Sequence, residues 1–244
     1  MQPDEITPAQ QARSIRPPDY LRYVAVEGVI GVGKTTLAQH LAKRFNGHAV
    51  LEQFEENPFL ASFYANSDRW AFHTQLSFLA SRFKQQKALQ NRDLFRSFVI
   101  SDYTFDKDRI FAHLNLEGDE LQLYESLYTI MEPVVPQPDL IVYLQSSADR
   151  LMSNIAHRGR SFEKKMKQSY IESLVEAYDY YFFRYNGSPL LIVNATELDF
   201  VRFPEDLEEI VRQICTGPHT ATTYFNFKAP TDRSSGSAPQ MKFD

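Results

Sequence analysis

Short runs of consecutive apolar residues recur along the chain and alternate with longer stretches in which apolar residues repeat at helical spacing. Within the short runs the apolar residues do not alternate with polar ones, which is typical of strands that are buried on both faces of a sheet. The runs that predict strands are residues 23–26, 49–51, 98–100, 140–144 and 190–193.

The stretches between these runs predict helices, and the second of them has a clear start. Asn57 is a favourable helix cap, and Pro58 suits the first turn because the N–H that proline lacks would have no partner there. The predicted helices are residues 34–45, 58–65, 69–91, 106–130, 147–157, 165–185 and 204–215.

This order of elements predicts an α/β fold, in which a five-stranded parallel sheet is flanked by helices on both faces. Ligands of such sheets bind beyond the carboxyl ends of the strands. The polar residues that directly follow the predicted strands are therefore the first candidates for chemistry.

The two ends of the chain differ in composition from its centre. Residues 1–20 are polar and contain prolines, so we expect a flexible arm. Residues 217–244 are rich in Gly, Pro, Ser and Thr and show neither the helical nor the strand period, which predicts an irregular or disordered tail. Residues 21–216 are expected to form one domain.

The composition excludes several classes of partner. The net charge of −5 argues against a nucleic acid polymer, because proteins that bind one usually present a basic face. No apolar run reaches the roughly 18 residues that a membrane span needs, so no membrane partner is expected. Cys215 is the only cysteine, which excludes an internal disulfide and fits a reducing cytoplasm.

Residues 28–35 match the phosphate-binding pattern G-x-x-x-x-G-K-[ST] in full, between a predicted strand and a predicted helix. In such a loop the backbone N–H groups surround the phosphates of a nucleotide, and the N-terminus of the helix favours their negative charge. Lys34 is expected to contact the β- and γ-phosphates of ATP, and the Thr35 hydroxyl to bind Mg²⁺. The predicted nucleotide-binding residues are Gly28, Val29, Ile30, Gly31, Val32, Gly33, Lys34, Thr35 and Thr36.

Two acidic residues follow predicted strands. Glu52 comes after the second strand, where its carboxylate could accept a proton from a hydroxyl that attacks the γ-phosphorus. Asp102 comes after the third strand, and an acid in that position of a phosphate-loop protein commonly holds Mg²⁺. Glu55 and Glu56 read instead as part of an acidic, solvated turn.

A basic loop lies between two predicted helices, in the sequence "AHRGRSFEKKMK". Arg158 and Arg160 in this loop could close over the nucleotide and stabilise charge that develops on the transferred phosphoryl group. The three lysines that follow are expected to be solvated, which is the usual fate of a run of charges.

Gln75 and Arg82 are seven residues apart in a helix dense in aromatic residues, and so lie on one face of it. Polar groups within an aromatic face need hydrogen-bond partners. Either the edge of a nucleobase or a structural network would supply them.

Several motifs together resemble the deoxynucleoside kinases, in particular the bacterial deoxyadenosine/deoxyguanosine kinase branch. The resemblance covers about residues 23–214. It rests on "EGVIGVGKTTLA", "EENPFLASFYANSDRW", "SDYTFDKDRIFA", "HRGRSFEKK" and "YIESLVEAYDYYF", in this order and spacing.

The resemblance implies a role for each candidate residue. Glu52 is implied as the general base for the sugar 5′-hydroxyl, with Lys34, Arg158 and Arg160 as the other catalytic residues. The residues implied in substrate binding are Gln75 and Arg82 at the base, Asp108 as a partner of Arg82, and Tyr64 and Glu163 at the 3′-hydroxyl. Relatives are commonly dimers, so a homodimer is expected.

The sequence departs from the pattern of many relatives at two places. Many animal members have Glu-Arg-Ser where this chain has Asp102-Tyr103-Thr104, so their arginine is missing here. Asn154 stands where many relatives place another lid arginine. The positive charge of the lid would then rest on Arg158 and Arg160.

The sequence therefore predicts an enzyme that transfers the γ-phosphate of ATP, with Mg²⁺, to the 5′-hydroxyl of a deoxynucleoside, with a purine as the expected base. One alternative is a nucleoside monophosphate kinase, for which Arg69, Arg82 and Arg109 could bind the phosphate of the acceptor. The other is a regulatory nucleotide-binding switch, although the Asn-Lys-x-Asp motif of guanine-reading switches is absent.

Overall fold

The computed structural model describes residues 15–90, 98–217 and 219–227. The strands in these ranges are β1 (Tyr23–Gly28), β2 (His48–Val50), β3 (Val99–Ser101), β4 (Leu140–Gln145), β5 (Leu190–Asn194) and β6 (Thr222–Asn226). They form one sheet in the order β2-β3-β1-β4-β5-β6, and every neighbouring pair is parallel. The predicted α/β fold with a parallel sheet is confirmed.

The described part of the sheet has six strands, so the predicted number of five was wrong. The additional strand, β6, lies inside the segment for which irregular structure was predicted, and it pairs with β5 from Leu190–Thr222 to Asn194–Asn226. Four of its five residues are exposed, because it is the outer strand of the sheet. An exposed strand has little hydrophobic pattern, so the main sign of β6 in the sequence is the run Thr-Thr-Tyr-Phe, whose residues favour strands.

The helices of the described residues connect the strands and lie against the sheet. They are α1 (Lys34–Phe45), α2 (Leu60–Ala65), α3 (Ser67–Gln90), α4 (Asp106–Asn115), α5 (Gly118–Met131), α6 (Ala148–Arg158), α7 (Gln168–Phe183) and α8 (Pro204–Cys215). None of them is long and apolar enough to span a membrane.

The single helix predicted over residues 106–130 is in fact two helices. The chain is extended at Leu116, with φ −119° and ψ 148°, and Gly118 has a φ of +53°. Leu116 is buried among the side chains of the neighbouring helices, so the break is stabilised by packing that a local pattern does not contain.

Buried apolar residues form two clusters, and the smaller one shapes the site. The larger cluster surrounds the sheet. The smaller one joins α2 to α5, and in it the rings of Phe105 and Tyr128 stack with their centroids 5.0 Å apart. Burial of one such side chain, for example Leu79, contributes about 1.5–3 kcal/mol. This packing holds α3 and α4 beside the carboxyl ends of the strands.

Of the predicted end segments, residues 1–14 and 228–244 lie outside the described residues. Residues 15–18 have no regular structure, and Ile15 packs against the larger cluster.

Candidate active site

The phosphate-binding loop connects β1 to α1, as predicted. Gly28, Gly31 and Gly33 have φ values of +147°, +90° and +101°, which residues other than glycine rarely adopt. The side chains of Val29 and Val32 are buried. The Lys34 ammonium donates hydrogen bonds to the carbonyl oxygens of Gly28, at 2.7 Å, and Val29, at 3.2 Å.

Replacement of Gly28 by alanine should lower the free energy of unfolding by about 1–3 kcal/mol, the usual cost of a strained backbone conformation. A Cβ atom there would lie 2.5 Å from the carbonyl oxygen of Leu144, which is backbone and cannot turn away. The control is Gly118→Ala, at a φ of +53° with no atom within 4 Å of the added Cβ. Denaturant unfolding should show a clearly larger loss for Gly28→Ala, and equal losses would contradict this reading.

Glu27, at the end of β1, connects the loop to the residues that follow β3. Its buried carboxylate accepts hydrogen bonds from the backbone N–H of Thr104, at 2.6 Å, and from that of Gly28, at 3.1 Å. Burial raises the pKa of Glu27, against the opposing charges of Lys107 and Lys34. The role of Glu27 could not be predicted from the sequence, because a polar residue within an apolar strand gives no sign of its partner.

Thr35, Asp102 and Glu52 meet where β1, β2 and β3 end. The Thr35 hydroxyl donates a hydrogen bond to Asp102 Oδ2 at 2.5 Å, and the Glu52 backbone N–H donates one to Asp102 Oδ1 at 2.7 Å. Strand β3 lies between β1 and β2, so Glu52, which follows β2, is two strands away from the phosphate loop, which follows β1. Asp102, which follows β3, connects Glu52 to Thr35 of the loop.

The oxygen atoms of Thr35 and Asp102 are ligands of the kind that a hard cation prefers. Within the described ranges no group of three or more His, Cys, Asp or Glu side chains could hold a metal ion. Mg²⁺ usually needs only one or two protein carboxylates and takes its other ligands from water and phosphate. The residues present therefore fit Mg²⁺ bound together with a nucleotide.

The Glu52 carboxylate is held between two cations. Arg82 donates to Glu52 Oε1 from Nε, at 2.9 Å, and from Nη2, at 2.6 Å, while the Lys107 ammonium lies 2.5 Å from Oε2. Burial by itself would raise the pKa of Glu52, but the charges of Lys107 and Arg82 outweigh it and lower this pKa well below its usual range. Glu52 is therefore ionised and ready to accept a hydrogen bond.

Arg82 is shared between Glu52 and a second acid, Asp108. Its Nη1 donates to Asp108 Oδ1, and the Tyr124 hydroxyl donates to Asp108 Oδ2 at 2.8 Å. Asp108 is fully buried and does not line the cavity, so it holds Arg82 from behind. The predicted pairing of Arg82 with Asp108 is thus present in the structure.

One cavity contains most of the predicted site. Its wall includes Ile30, Gly31, Lys34, Thr35, Glu52, Tyr64, Gln75, Arg82, Asp102, Arg158, Arg160 and Glu163. The other predicted residues, Gly28, Val29, Val32, Gly33, Thr36 and Asp108, are not part of this wall. Part of the phosphate loop and the carboxylates of Glu52, Asp102 and Glu163 thus line the same cavity as the aromatic face of α3.

Helix α3 brings two polar side-chain oxygens without a partner to the cavity wall. Gln75 Oε1 and Thr74 Oγ1 are buried and make no hydrogen bond within the described structure. Phe78 and Phe111 lie on the same wall. Buried polar atoms normally have partners, and of the six buried side-chain atoms without one in the described residues, these two belong to residues of the cavity wall. Thr74 was missed in the sequence, since a threonine in a helix gives no sign of which way its hydroxyl points.

The lid residues are gathered around Glu163. Arg158, the last residue of α6, donates to Glu163 Oε1 at 2.5 Å, and Arg160 Nη1 lies 3.7 Å from the same oxygen. The Arg160 guanidinium also lies over the ring of Phe54, 4.1 Å from its centroid. Burial and the charge of Arg158 lower the pKa of Arg160.

Two further predicted residues border the lid. Tyr64 stacks on Phe162, with their ring centroids 5.9 Å apart, which places the tyrosine beside the lid. Asn154 donates to the carbonyl oxygen of Gly31 at 2.9 Å and thereby ties α6 to the phosphate loop.

Lys107 is a site residue that the sequence analysis missed. It is 5% exposed, lines the cavity and contacts Glu52. Its signal in the sequence was weak, because a lysine next to two aspartates reads as part of a solvated, charged helix start.

Of the three arginines proposed for a monophosphate acceptor, Arg82 lines the cavity but is already paired, and Arg69 and Arg109 are not part of the cavity wall. Arg82 holds Glu52 and Asp108, and Arg109 is paired with Glu125 at 3.0 Å. Arg69 lies over the ring of Trp70, 5.4 Å from its centroid. Their positions give no support to a monophosphate kinase.

The chain is similar to several known proteins. The family model described as deoxynucleoside kinase matches residues 24–217. The deoxyguanosine kinase of Bacillus subtilis (strain 168) is 34% identical over 197 residues, which cover 79% of this chain and 95% of the relative. The deoxyadenosine/deoxycytidine kinase of the same strain is 32% identical over 203 residues, covering 80% and 93%.

A solved structure shares the fold. The structure of deoxyadenosine kinase from M. mycoides with bound dATP superposes with a TM-score of 0.69 at 27% sequence identity. The match covers 79% of this chain and 98% of that one. The chain therefore belongs to the deoxynucleoside kinase family.

Proposed function

We propose that this deoxynucleoside kinase transfers the γ-phosphoryl group of ATP to the 5′-hydroxyl of a purine deoxynucleoside. The observation that carries the proposal is that Glu52, the loop residues Lys34 and Thr35, and Gln75 line one cavity, and that the buried amide oxygen of Gln75 has no partner. In the reaction the 5′-oxygen bonds to the γ-phosphorus, the bond from phosphorus to the bridging oxygen of ADP breaks, and the hydroxyl proton passes to Glu52.

On the donor side, the backbone of the loop and Lys34 hold the phosphates. Thr35 and Asp102 would hold Mg²⁺, which supplies positive charge to the phosphate oxygens when it is bound. Burial and the nearby charge of Lys107 lower the pKa of Lys34 to about 8, and a phosphate group close to the ammonium would favour its charged form. Arg158 and Arg160 add charge from the lid.

On the acceptor side, Glu52 orients the 5′-hydroxyl by accepting its hydrogen bond. The transition state of phosphoryl transfer is loose in most analyses, so positioning of this hydroxyl matters more than the strength of the base. Tyr64 and Glu163 lie together by the lid, where we propose that they bind the 3′-hydroxyl. Gln75 would hydrogen-bond the edge of the base.

The preference for a purine rests on the relatives from B. subtilis, which are a deoxyguanosine kinase and a deoxyadenosine/deoxycytidine kinase. The cavity adds an argument for a base with an amino group, which adenine, guanine and cytosine have and thymine lacks. Gln75 and Thr74 line the cavity, and their buried side-chain oxygens have no hydrogen-bond donor.

A direct assay tests the proposal. Purified protein is incubated with ATP and Mg²⁺ and each of the four deoxynucleosides, and separately with each monophosphate. We expect turnover on at least one purine deoxynucleoside and none on the monophosphates. A Lys34→Met variant prepared in the same way controls for a contaminating kinase. Turnover on monophosphates alone would overturn the proposal.

We also propose that the protein is a cytoplasmic homodimer. Tyr180 and Phe183, three residues apart on α7, are 65% and 74% exposed, which supports an interface on that helix. A sequence with the single cysteine Cys215 suits a reducing compartment. Light scattering at micromolar concentration that shows a monomer would exclude the dimer.

A further inference from the structure

Lys107 occupies an unusual place for a lysine. It lies in the first turn of α4, is almost fully buried, and lines the same cavity as Lys34 and Arg158. A buried ammonium is costly unless it is paired and hydrogen-bonded. Its position beside the proposed reaction centre therefore needs an explanation.

Charge balance explains part of it. Glu52 and Asp108 share the single guanidinium of Arg82, and Lys107 brings a second positive charge to Glu52 and close to the buried Glu27. An ammonium has three hydrogen-bond donors. Within the described residues, the Lys107 ammonium donates one hydrogen bond, to Glu52 Oε2. Charge balance therefore leaves two donors of a cavity-lining lysine unexplained.

Tyr103 cannot supply a cation to this part of the site. Its side chain is fully buried, and its hydroxyl donates a hydrogen bond to Gln85 Oε1. Lys107, four residues further along the chain, does bring a positive charge to the Glu52 carboxylate. It is also close enough to Lys34 that its charge lowers the pKa of Lys34, although burial is the larger cause of that shift.

We propose that Lys107 is a catalytic residue that contacts the transferred phosphoryl group through the donors that Glu52 leaves free, while it holds Glu52 at the acceptor hydroxyl. This inference rests on the proposed function. An ammonium fixed in a site from which water is excluded stabilises charge that develops on phosphoryl oxygens far better than the same group in water. Lys107 would thus act on the acid and on the phosphoryl group together.

The test compares two dissociation constants in the variant Lys107→Met. The affinity for the deoxynucleoside should change less than about threefold, whereas the affinity for its 5′-monophosphate should fall about tenfold or more. The turnover number kcat should fall by about 10²-fold, which is the usual effect of one lost electrostatic donor. Lys107→Arg, which keeps the charge, should retain most of the monophosphate affinity. Lys84→Met, an exposed lysine on α3, is the matched control.

A merely structural role would weaken the binding of both ligands together, and that result would overturn the proposal. So would an unchanged affinity for the monophosphate, whatever happens to kcat. Lys107→Gln removes the charge and keeps a donor, and gives the same comparison if the methionine variant does not fold. The turnover of the wild-type protein separates failure of this inference from failure of the proposed function. If the wild-type protein phosphorylates no deoxynucleoside, the proposed function itself is refuted.

Discussion

Replacing Glu52 by glutamine should lower the turnover number by about 10²-fold or more, the usual size of the effect of a general base. Glutamine has nearly the same shape, but its amide is a poor acceptor for the proton of the 5′-hydroxyl. ATP binding should persist, because the backbone of the phosphate loop is unchanged and the Lys34 ammonium makes its hydrogen bonds to Gly28 and Val29. Steady-state kinetics with saturating ATP and deoxynucleoside measure the loss.

The control for this variant is Glu56→Gln, four residues away on an exposed turn. It removes the same charge and should keep wild-type turnover. Because Glu52→Gln leaves the buried Lys107 without its ion pair, circular dichroism at the assay temperature must show that the variant is folded. A folded Glu52→Gln protein with near-normal turnover would remove Glu52 from the proposed role.

Replacing Asp108 by alanine should lower the free energy of unfolding by about 3–5 kcal/mol, the usual cost of removing one partner of a buried ion pair. Asp108 is fully buried, and it accepts hydrogen bonds from both Arg82 and Tyr124. Its loss leaves the Tyr124 hydroxyl without this acceptor and Arg82 with Glu52 as its remaining carboxylate. Denaturant unfolding measures the change.

Tyr124→Phe serves as the matched comparison for Asp108→Ala. It removes one hydrogen bond to the same carboxylate and keeps the ring, so about 1 kcal/mol should be lost. If Asp108→Ala costs no more than Tyr124→Phe, the ion pair with Arg82 contributes little, and the network is held by packing alone.

The parts of the fold that could be predicted are those whose cause is local in the sequence. Strands β1 and β4 are apolar runs because both of their faces are buried, and the glycine pattern defines the phosphate loop. Glu52 and Asp102 were identified because parallel strands bring their carboxyl ends to one edge. For these residues the position in the chain already implies the position in space.

The remaining features depend on partners that are distant in the chain. Lys107 is buried because Glu52, 55 positions earlier, carries a carboxylate to the same point. The break at Leu116 depends on packing among several helices. The orientation of the Thr74 hydroxyl depends on the cavity around it. A pattern along one segment contains none of these contacts.

The outer strand β6 has a practical consequence for work with shortened chains. The family match ends at residue 217, before β6 begins. A shortened chain designed on that match would end at residue 217 and lack β6. Without β6, the strand β5, whose first four residues are buried and apolar, would present unpaired backbone N–H and C=O groups at an open edge. Such edges template aggregation between molecules. A shortened version of this protein should therefore end beyond Asn226.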